Sequence, residues 1–266
     1  MAPGLVGHTS RMGLIMKLLV VVSAVVAVVG SLIGSGAWIG TPIAEAAGGA
    51  LSATATLVAP AGTAFSIWSV VYGGLIAYAI WQFLPGRTSR HEALRLPVAL
   101  SMLLNAAWIL SVQAGLLWLS VVVIAGLLVV LARVFVLLQR QRPENAMDAV
   151  ITDGTMGLYL GWVCVATIAN TTAWLVDLGI TRGATTWAVI AVAVAAAVGI
   201  GLATGSRGAF APSIGIVWGL AWVAQGRLGG EVANTAVGVT AVAAALLVGV
   251  YTAGLRLDLT GAKQAN

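Results

Sequence analysis

Residues 154–178, GTMGLYLGWVCVATIANTTAWLVDL, decide the fold, because this apolar stretch has the length that crosses a lipid bilayer. Within it, Tyr159, Trp162, Ala166 and Asn170 follow at offsets of three, four and four residues. These offsets place the four side chains on one stripe of a helix. Hydrocarbon offers the amide of Asn170 no hydrogen-bond partner. We therefore expect the stripe to face other helices or a cavity.

The composition of the whole chain indicates the same surroundings. Hydrophobic residues make up 60% of the 266 residues and charged residues 8%, which is more apolar surface than a soluble core of this size can bury. The formal net charge of +5 comes from basic residues in short loops, where they set membrane orientation. The composition thus predicts an all-α polytopic membrane protein that contacts the lipid bilayer and has no nucleic-acid partner.

Few residues are available for metal binding. Cys164 is the only cysteine, which excludes an intrachain disulfide and a CxxC metal site. His8 and His91 both lie outside the apolar segments, which excludes a haem held by two intramembrane histidines. We expect no metal site.

Eight segments are apolar enough to form transmembrane helices. They are residues 14–34, 64–84, 96–115, 117–138, 154–178, 185–204, 209–226 and 234–255. Gly115 leaves a very short turn between the third and fourth, which predicts that these helices are antiparallel neighbours. A signal peptide cleaved at AEAA, residues 44–47, is the alternative for the first segment. Its apolar run is about twice as long as that of a signal peptide, which favours an intact helix.

The basic residues are distributed asymmetrically over these eight spans. With a cytoplasmic N-terminus, only Arg182 and Arg227 fall on the outer side. The cytoplasmic set is Arg11, Lys17, Arg87, Arg90, Arg95, Arg133, Arg140, Arg142, Arg207, Arg256 and Lys263. This bias predicts a multi-pass protein of the cell (plasma or inner) membrane with both termini in the cytoplasm. The segment 35–62 between the first two spans would lie along the membrane surface or cap the bundle.

Catalytic patterns are absent from the sequence. No Asp, Glu, Lys, Arg or His lies near the middle of a predicted span, where such groups usually mark ion pathways and proton relays. No Ser/His/Asp set, P-loop or HExxH motif is present. We therefore assign no catalytic residue and favour a non-enzymatic role.

Aromatic and amide residues recur deep in the predicted spans. Trp68, Trp108 and Trp162 lie there together with Asn105 and Asn170. The amides would either hydrogen-bond between helices or line a pocket. A ring of indoles and phenols with two amides suits a flat apolar ligand, because the rings stack on its faces and the amides orient it.

Three segments resemble the TspO/MBR family, the tryptophan-rich sensory proteins related to the mitochondrial translocator protein. PAGTAFSIWSVVY at residues 60–72 is similar to the family's entry into its second helix. Asn105-x-x-Trp108 is similar to the N-x-x-W of its third helix, and the stripe from Tyr159 to Asn170 is similar to the Y-x-x-W-x-x-x-A-x-x-x-N of its fifth. The resemblance divides the chain into a TspO-like five-helix transmembrane bundle, residues 1–180, and a three-helix extension with a short cytoplasmic tail, residues 181–266.

The resemblance also implies a function. It implies a membrane binder, sensor or carrier of a flat hydrophobic ligand, either a tetrapyrrole such as protoporphyrin or a sterol-like lipid. We expect no required cofactor; a tetrapyrrole would be bound as the ligand. The ligand-binding residues that it implies are Phe65, Trp68, Tyr72, Asn105, Trp108, Tyr159, Trp162, Ala166 and Asn170. Phe65 and Trp68 are three residues apart where the common family pattern has four, a spacing that would turn one of the two away.

Several alternatives stay open. A homodimer is compatible with the resemblance, although the last three spans would occupy the face that the compact family uses to dimerise. The competing functions are a secondary transporter or permease-like protein and a light-dependent porphyrin-degrading enzyme. A bundle packed solid, without a cavity, would favour a purely structural membrane partner.

Overall fold

The computed structural model describes residues 3–34, 36, 39–84 and 89–264, with side chains at 11–34, 36, 39–84 and 90–258. Arg87 and the side chain of Lys263, which enter the charge count, lie outside this part. The long helices in chain order are α1 (Pro3–Gly34), α2 (Ile67–Trp81), α3 (Ser89–Gln113), α4 (Leu117–Arg140), α5 (Thr155–Asp177), α6 (Ala184–Ser206), α7 (Phe210–Leu228) and α8 (Thr235–Gln264). No β-strand occurs among the described residues, so the predicted all-α fold is confirmed.

Shorter helical pieces join the long helices. A 3₁₀ turn, Gly62–Ser66, leads into α2, and a helical turn, Ala46–Gly49, lies in the loop before it. The short helix Ala146–Asp148 and the π-helical turn Ala149–Gly154 lead into α5. Gly115, with a φ of 71°, makes the tight turn between α3 and α4, which are packed neighbours as predicted.

Seven of the long helices are long and apolar enough to cross a membrane, within the described part of the chain. The exception is α7, which coincides with the seventh predicted span. It carries Pro212, Gln225 and Arg227, which lower its mean hydropathy. Its neighbours α5, α6 and α8 shield it from lipid, so it needs less apolar surface than an exposed helix. At about 1.5 Å per residue its 19 residues still extend over the thickness of a bilayer core.

The first five helices form a closed ring. Each helix contacts the next in the order α1, α3, α4, α5 and α2, and α2 returns to α1. The last three helices pack on the outside of this ring. α7 lies against α5, and α8 lies against α7. α6 contacts α5, α7 and α8.

Glycines bring α5 and α7 into backbone contact. Gly161 on α5 faces Gly215 on α7, while Gly157 lies against Pro212 and Gly219 lies against Val165. Each helix thus presents a small-xxx-small pattern to the other. A Cβ at Gly215 would lie 2.6 Å from the carbonyl oxygen of Leu158, which is closer than atoms can approach. Such patterns let helices approach closely in a membrane. The abundant glycines therefore serve helix packing here.

The loop of residues 39–61 caps one end of the bundle, which we call the loop end. We predicted that this loop lies either along the membrane surface or over the end of the bundle, and the structure shows the second arrangement. Gln113 at the end of α3 exchanges two hydrogen bonds with the backbone of Thr41, at 3.1 and 2.6 Å. The backbone N–H of Ala61 donates to the carbonyl oxygen of Trp222 on α7. Residues 35, 37 and 38 of the predicted loop lie outside the described part.

Candidate functional site

The nine predicted ligand-binding residues meet in one cluster below the loop. They come from the 3₁₀ turn before α2 and from α2, α3 and α5. Eight of them are linked by ring contacts or side-chain hydrogen bonds. The ninth, Ala166, lines a small cavity beside them. We call this set the aromatic cluster.

Trp68 lies at the centre of the aromatic cluster. Its ring is stacked near Tyr72 and Trp108, with centroids 5.5 and 6.3 Å away and interplanar angles of 28°. Its other contacts, with Tyr159 at 5.8 Å and Trp162 at 6.3 Å, are edge-to-face. Both geometries are favourable for aromatic pairs.

The spacing of Phe65 and Trp68 does not turn either ring away. Phe65 also contacts Trp162 edge-to-face, with centroids 5.8 Å apart. It belongs to the 3₁₀ turn, whereas Trp68 belongs to the first turn of α2, and the tighter winding before α2 keeps both rings in the cluster. The expectation that one of the two would be rotated out of the cluster was therefore wrong, because it assumed an α-helical entry.

The two amides form hydrogen bonds between helices. Tyr72 donates its hydroxyl to Asn105 Oδ1 at 2.7 Å. Trp108 Nε1 donates to Asn170 Oδ1 at 2.9 Å, and Asn170 Nδ2 donates to the Ser120 hydroxyl on α4 at 2.9 Å. The amide of Asn170 is thus satisfied by protein groups on α3 and α4. Ser120 had no signal in the sequence, because nothing there shows which face of α4 meets α5.

Two donors of the cluster have no acceptor among the described residues. They are Asn105 Nδ2 and Trp162 Nε1, on side chains that are 0% and 1% exposed. Trp162 also lines the small cavity. A buried donor without a partner costs roughly 1–3 kcal/mol, so Trp162 Nε1 would gain from an acceptor on a ligand, whereas Asn105 lines neither cavity described below.

Two cavities adjoin the cluster. The inner one holds only about 30 Å³, room for one water molecule. The outer one, which we call the aromatic cleft, measures about 360 Å³ and falls within the range of small-molecule pockets. The aromatic cleft lies between α1, α2 and α3 and is lined by Ser31, Gly34, Ile43, Phe65, Trp68, Ser69, Tyr72, Trp108 and Ile109. Phe65, Trp68 and Trp108 line both cavities and separate them.

Helix α7 holds the loop over the inner cavity. Arg227, only 1% exposed, donates from Nη2 to the carbonyl oxygen of Ala53 at 2.5 Å and from Nη1 to that of Thr56 at 3.3 Å. Trp218 Nε1 donates to the carbonyl oxygen of Ala64 at 2.9 Å. From the sequence we interpreted Arg227 only as an orientation marker, because its partners are backbone carbonyls distant in the chain.

A buried ionic cluster lies at the opposite end of the bundle, which we call the basic end. Arg90 pairs with Asp148 at 2.5 Å and with Asp153. Asp148 also accepts a hydrogen bond from Trp81 Nε1 at 3.1 Å and lies 3.2 Å from His91 Nε2. These pairs fasten α3 and α2 to the entrance of α5. The sequence analysis missed them because the charges stand far apart in the chain.

Comparison with known proteins identifies the family. A family model described as TSPO-like protein matches residues 17–253. The match continues beyond residue 180 through α6 and α7 and into α8. No curated protein and no solved structure matches the chain. The division of the chain into domains at residue 180 stays a prediction.

Proposed function

The chain belongs to the TSPO-like protein family, and from this premise we propose that it binds a flat hydrophobic ligand in the membrane, as a sensor or carrier. The ligand class is a tetrapyrrole or a sterol-like lipid. The aromatic cleft carries this proposal, because it has the volume of a small-molecule site and an aromatic wall. The inner cavity of about 30 Å³ is far too small for such a ligand.

The wall of the aromatic cleft is suited to a flat molecule. The ring of Trp68 lies at 28° to that of Tyr72 and at 28° to that of Trp108, and all three rings line the cleft. Ser31 and Ser69 supply hydroxyl groups at the same cleft. Stacking on the rings would give most of the affinity, and the few polar groups would orient the ligand.

The membrane setting supports the same function. Seven helices in the described part are apolar enough to span a bilayer, and the side chain of Ser69 on the aromatic cleft is exposed. A hydrophobic ligand dissolved in the membrane could therefore reach the cleft. We place both termini in the cytoplasm of a cell-membrane protein, on the basis of the charge asymmetry.

Titration with protoporphyrin IX tests the proposal. The full chain would be purified in dodecyl maltoside and binding followed by the porphyrin's own absorbance, with a sterol as competitor. Trp68→Ala removes stacking worth about 0.5–1.5 kcal/mol per ring pair and should weaken binding about tenfold. Trp187→Ala is the matched control, since Trp187 is 64% exposed on α6. Equal affinity in the two variants, or no saturable binding to the wild type, would refute the proposal.

A further inference from the structure

A second cleft opens at the basic end of the molecule. It measures about 910 Å³ and lies between the end of α4, the entrance of α5, the turn from α6 to α7, and α8. Arg142, Arg207 and Arg256 all line it. We call it the basic cleft. No residue of the aromatic cluster contributes to its walls, so the basic cleft is separate from the proposed ligand site.

The positive charge of the basic cleft is not neutralised within the described part of the chain. Arg142, Arg207 and Arg256 make no ion pair and no side-chain hydrogen bond there. Asp153 is the carboxylate in the lining, and Arg90 already pairs with it. Three guanidinium groups thus line one cavity.

The backbone holds two of these arginines close together. Arg207 ends α6 in the left-handed conformation, with a φ of 55° and a ψ of 47°. The next residue, Gly208, packs so closely on α8 that a Cβ there would lie 3.1 Å from the backbone nitrogen of Arg256. Ser206 fixes the turn by accepting a hydrogen bond from the backbone N–H of Ala209 at 3.1 Å. The spacing of Arg207 and Arg256 is therefore set by packing.

The rest of the lining is partly apolar. Phe135 and Leu138 on α4 and Phe210 at the start of α7 contribute to the walls. Phe210 is 47% exposed. The first turn of α7 also lines the cleft. A basic rim beside apolar walls, at the ends of membrane-spanning helices, matches the boundary between lipid headgroups and acyl chains.

We infer that the basic cleft binds a phosphate group, supplied by the headgroup of an anionic phospholipid. Arginine recognises phosphate through paired N–H donors, and three arginines around one cavity would contact several of its oxygens. A volume of about 910 Å³ exceeds what a free phosphate needs and leaves space for the glycerol backbone beside Phe210. The same chemistry would admit a soluble phosphate, which the experiment distinguishes.

Native mass spectrometry of the full chain tests this inference. The protein in dodecyl maltoside would be mixed with phosphatidylglycerol or phosphatidylcholine of identical acyl chains, and the retained lipid counted. Arg207→Gln combined with Arg256→Gln should lower phosphatidylglycerol affinity about tenfold and leave phosphatidylcholine unchanged. Arg133→Gln with Arg140→Gln is the matched control, because it removes the same charge from exposed positions of α4 outside the cleft.

Two further arms settle the source of the phosphate and guard against a misfolded variant. Inorganic phosphate that displaces phosphatidylglycerol from the wild type confirms the shared site. A different result would be that the wild type binds inorganic phosphate, shows no preference for phosphatidylglycerol over phosphatidylcholine, and loses phosphate binding in the double variant. This result would assign the site to a soluble phosphate instead of a lipid. In the wild type the lipid preference should fall as salt is raised, because salt screens exposed charges. The inference is overturned if the preference for phosphatidylglycerol does not depend on salt, or if it is equal in the double variant and its control. It is also overturned if the wild type retains neither lipid nor phosphate.

Discussion

Trp68 shows how much depends on single residues at the site. It contacts Tyr72, Trp108, Tyr159 and Trp162, and it also separates the inner cavity from the aromatic cleft. Phe65 and Trp108 share this position, so a joint displacement of these rings would join the two spaces. The inner cavity could then contribute its unpaired donor, Trp162 Nε1, to a ligand in the aromatic cleft.

The unpaired indole N–H of Trp162 gives a prediction at this scale. Trp162→Phe keeps an aromatic ring beside Phe65 and removes a donor that has no acceptor in the described protein. Loss of the unpaired donor offsets part of the cost of the cavity that the smaller ring leaves, so thermal stability without ligand should fall only modestly. Affinity for protoporphyrin IX should fall about fivefold, the value of one hydrogen bond, as measured by absorbance titration. Unchanged affinity, equal to that of Trp187→Phe, would mean that the ligand does not use this donor.

The sequence predicted the residues of the aromatic cluster but not the residues on other helices that hold it in place. The offsets of Tyr159, Trp162 and Asn170 place them on one helical stripe, which is a local property of the chain. Ser120 and Arg227 serve the site through partners on other segments. Their roles depend on which helices become neighbours, and a single sequence carries no signal for that. The 3₁₀ turn at Phe65 also depends on the tertiary structure around it.

At the scale of secondary-structure elements, helix α7 contributes to the site from outside the five-helix ring. Helix α7 lies outside the five-helix ring, yet its last turn holds the loop that closes the inner cavity. Its apolar stretch falls short of those in the other seven long helices, and its Ser213 and Arg227 are buried in the protein. The seventh span could therefore be located from its sequence pattern, whereas its contact with the loop could not be predicted.

The hydrogen bonds between Arg227 and the loop predict that this side chain holds the loop closed over the inner cavity. Arg227→Met keeps the length of the side chain but removes both hydrogen bonds to the carbonyl oxygens of Ala53 and Thr56. The loop should then open more often, and hydrogen exchange across residues 50–61 should become faster. Arg182→Met, at an exposed position of the same end of the bundle, is the control and should leave exchange unchanged. Equal rates of hydrogen exchange in the two variants would show that Arg227 does not hold the loop closed.

The glycine contact between α5 and α7 gives a second prediction for the elements. A Cβ at Gly161 would collide with the carbonyl oxygen of Pro212. Gly161→Val should therefore force the helices apart and lower the thermal unfolding midpoint in detergent by several degrees. Gly126→Val on α4 meets nothing within 4 Å and should leave the midpoint unchanged. A well-behaved Gly161→Val protein with wild-type stability would contradict this packing.

At the scale of the whole molecule, five helices form a ring and three more cover the outer side of α5. The membrane class, the helical fold and the family were predictable, because they follow from hydropathy and from short motifs in order. The order of helices around the ring was not, since α2 lies between α1 and α5 through contacts distant in sequence. The family match over residues 17–253 includes most of the three added helices.

The central claim is that a flat hydrophobic ligand occupies the aromatic cleft. Thiol protection tests it directly, because Ser69→Cys would place a reactive group on the cleft, whereas the native Cys164 is buried. Ala132→Cys, exposed on α4, is the control. With protoporphyrin IX at ten times its dissociation constant, maleimide should modify Ser69→Cys about tenfold more slowly, and Ala132→Cys at an unchanged rate. Equal rates with and without saturating porphyrin at Ser69→Cys would contradict the account.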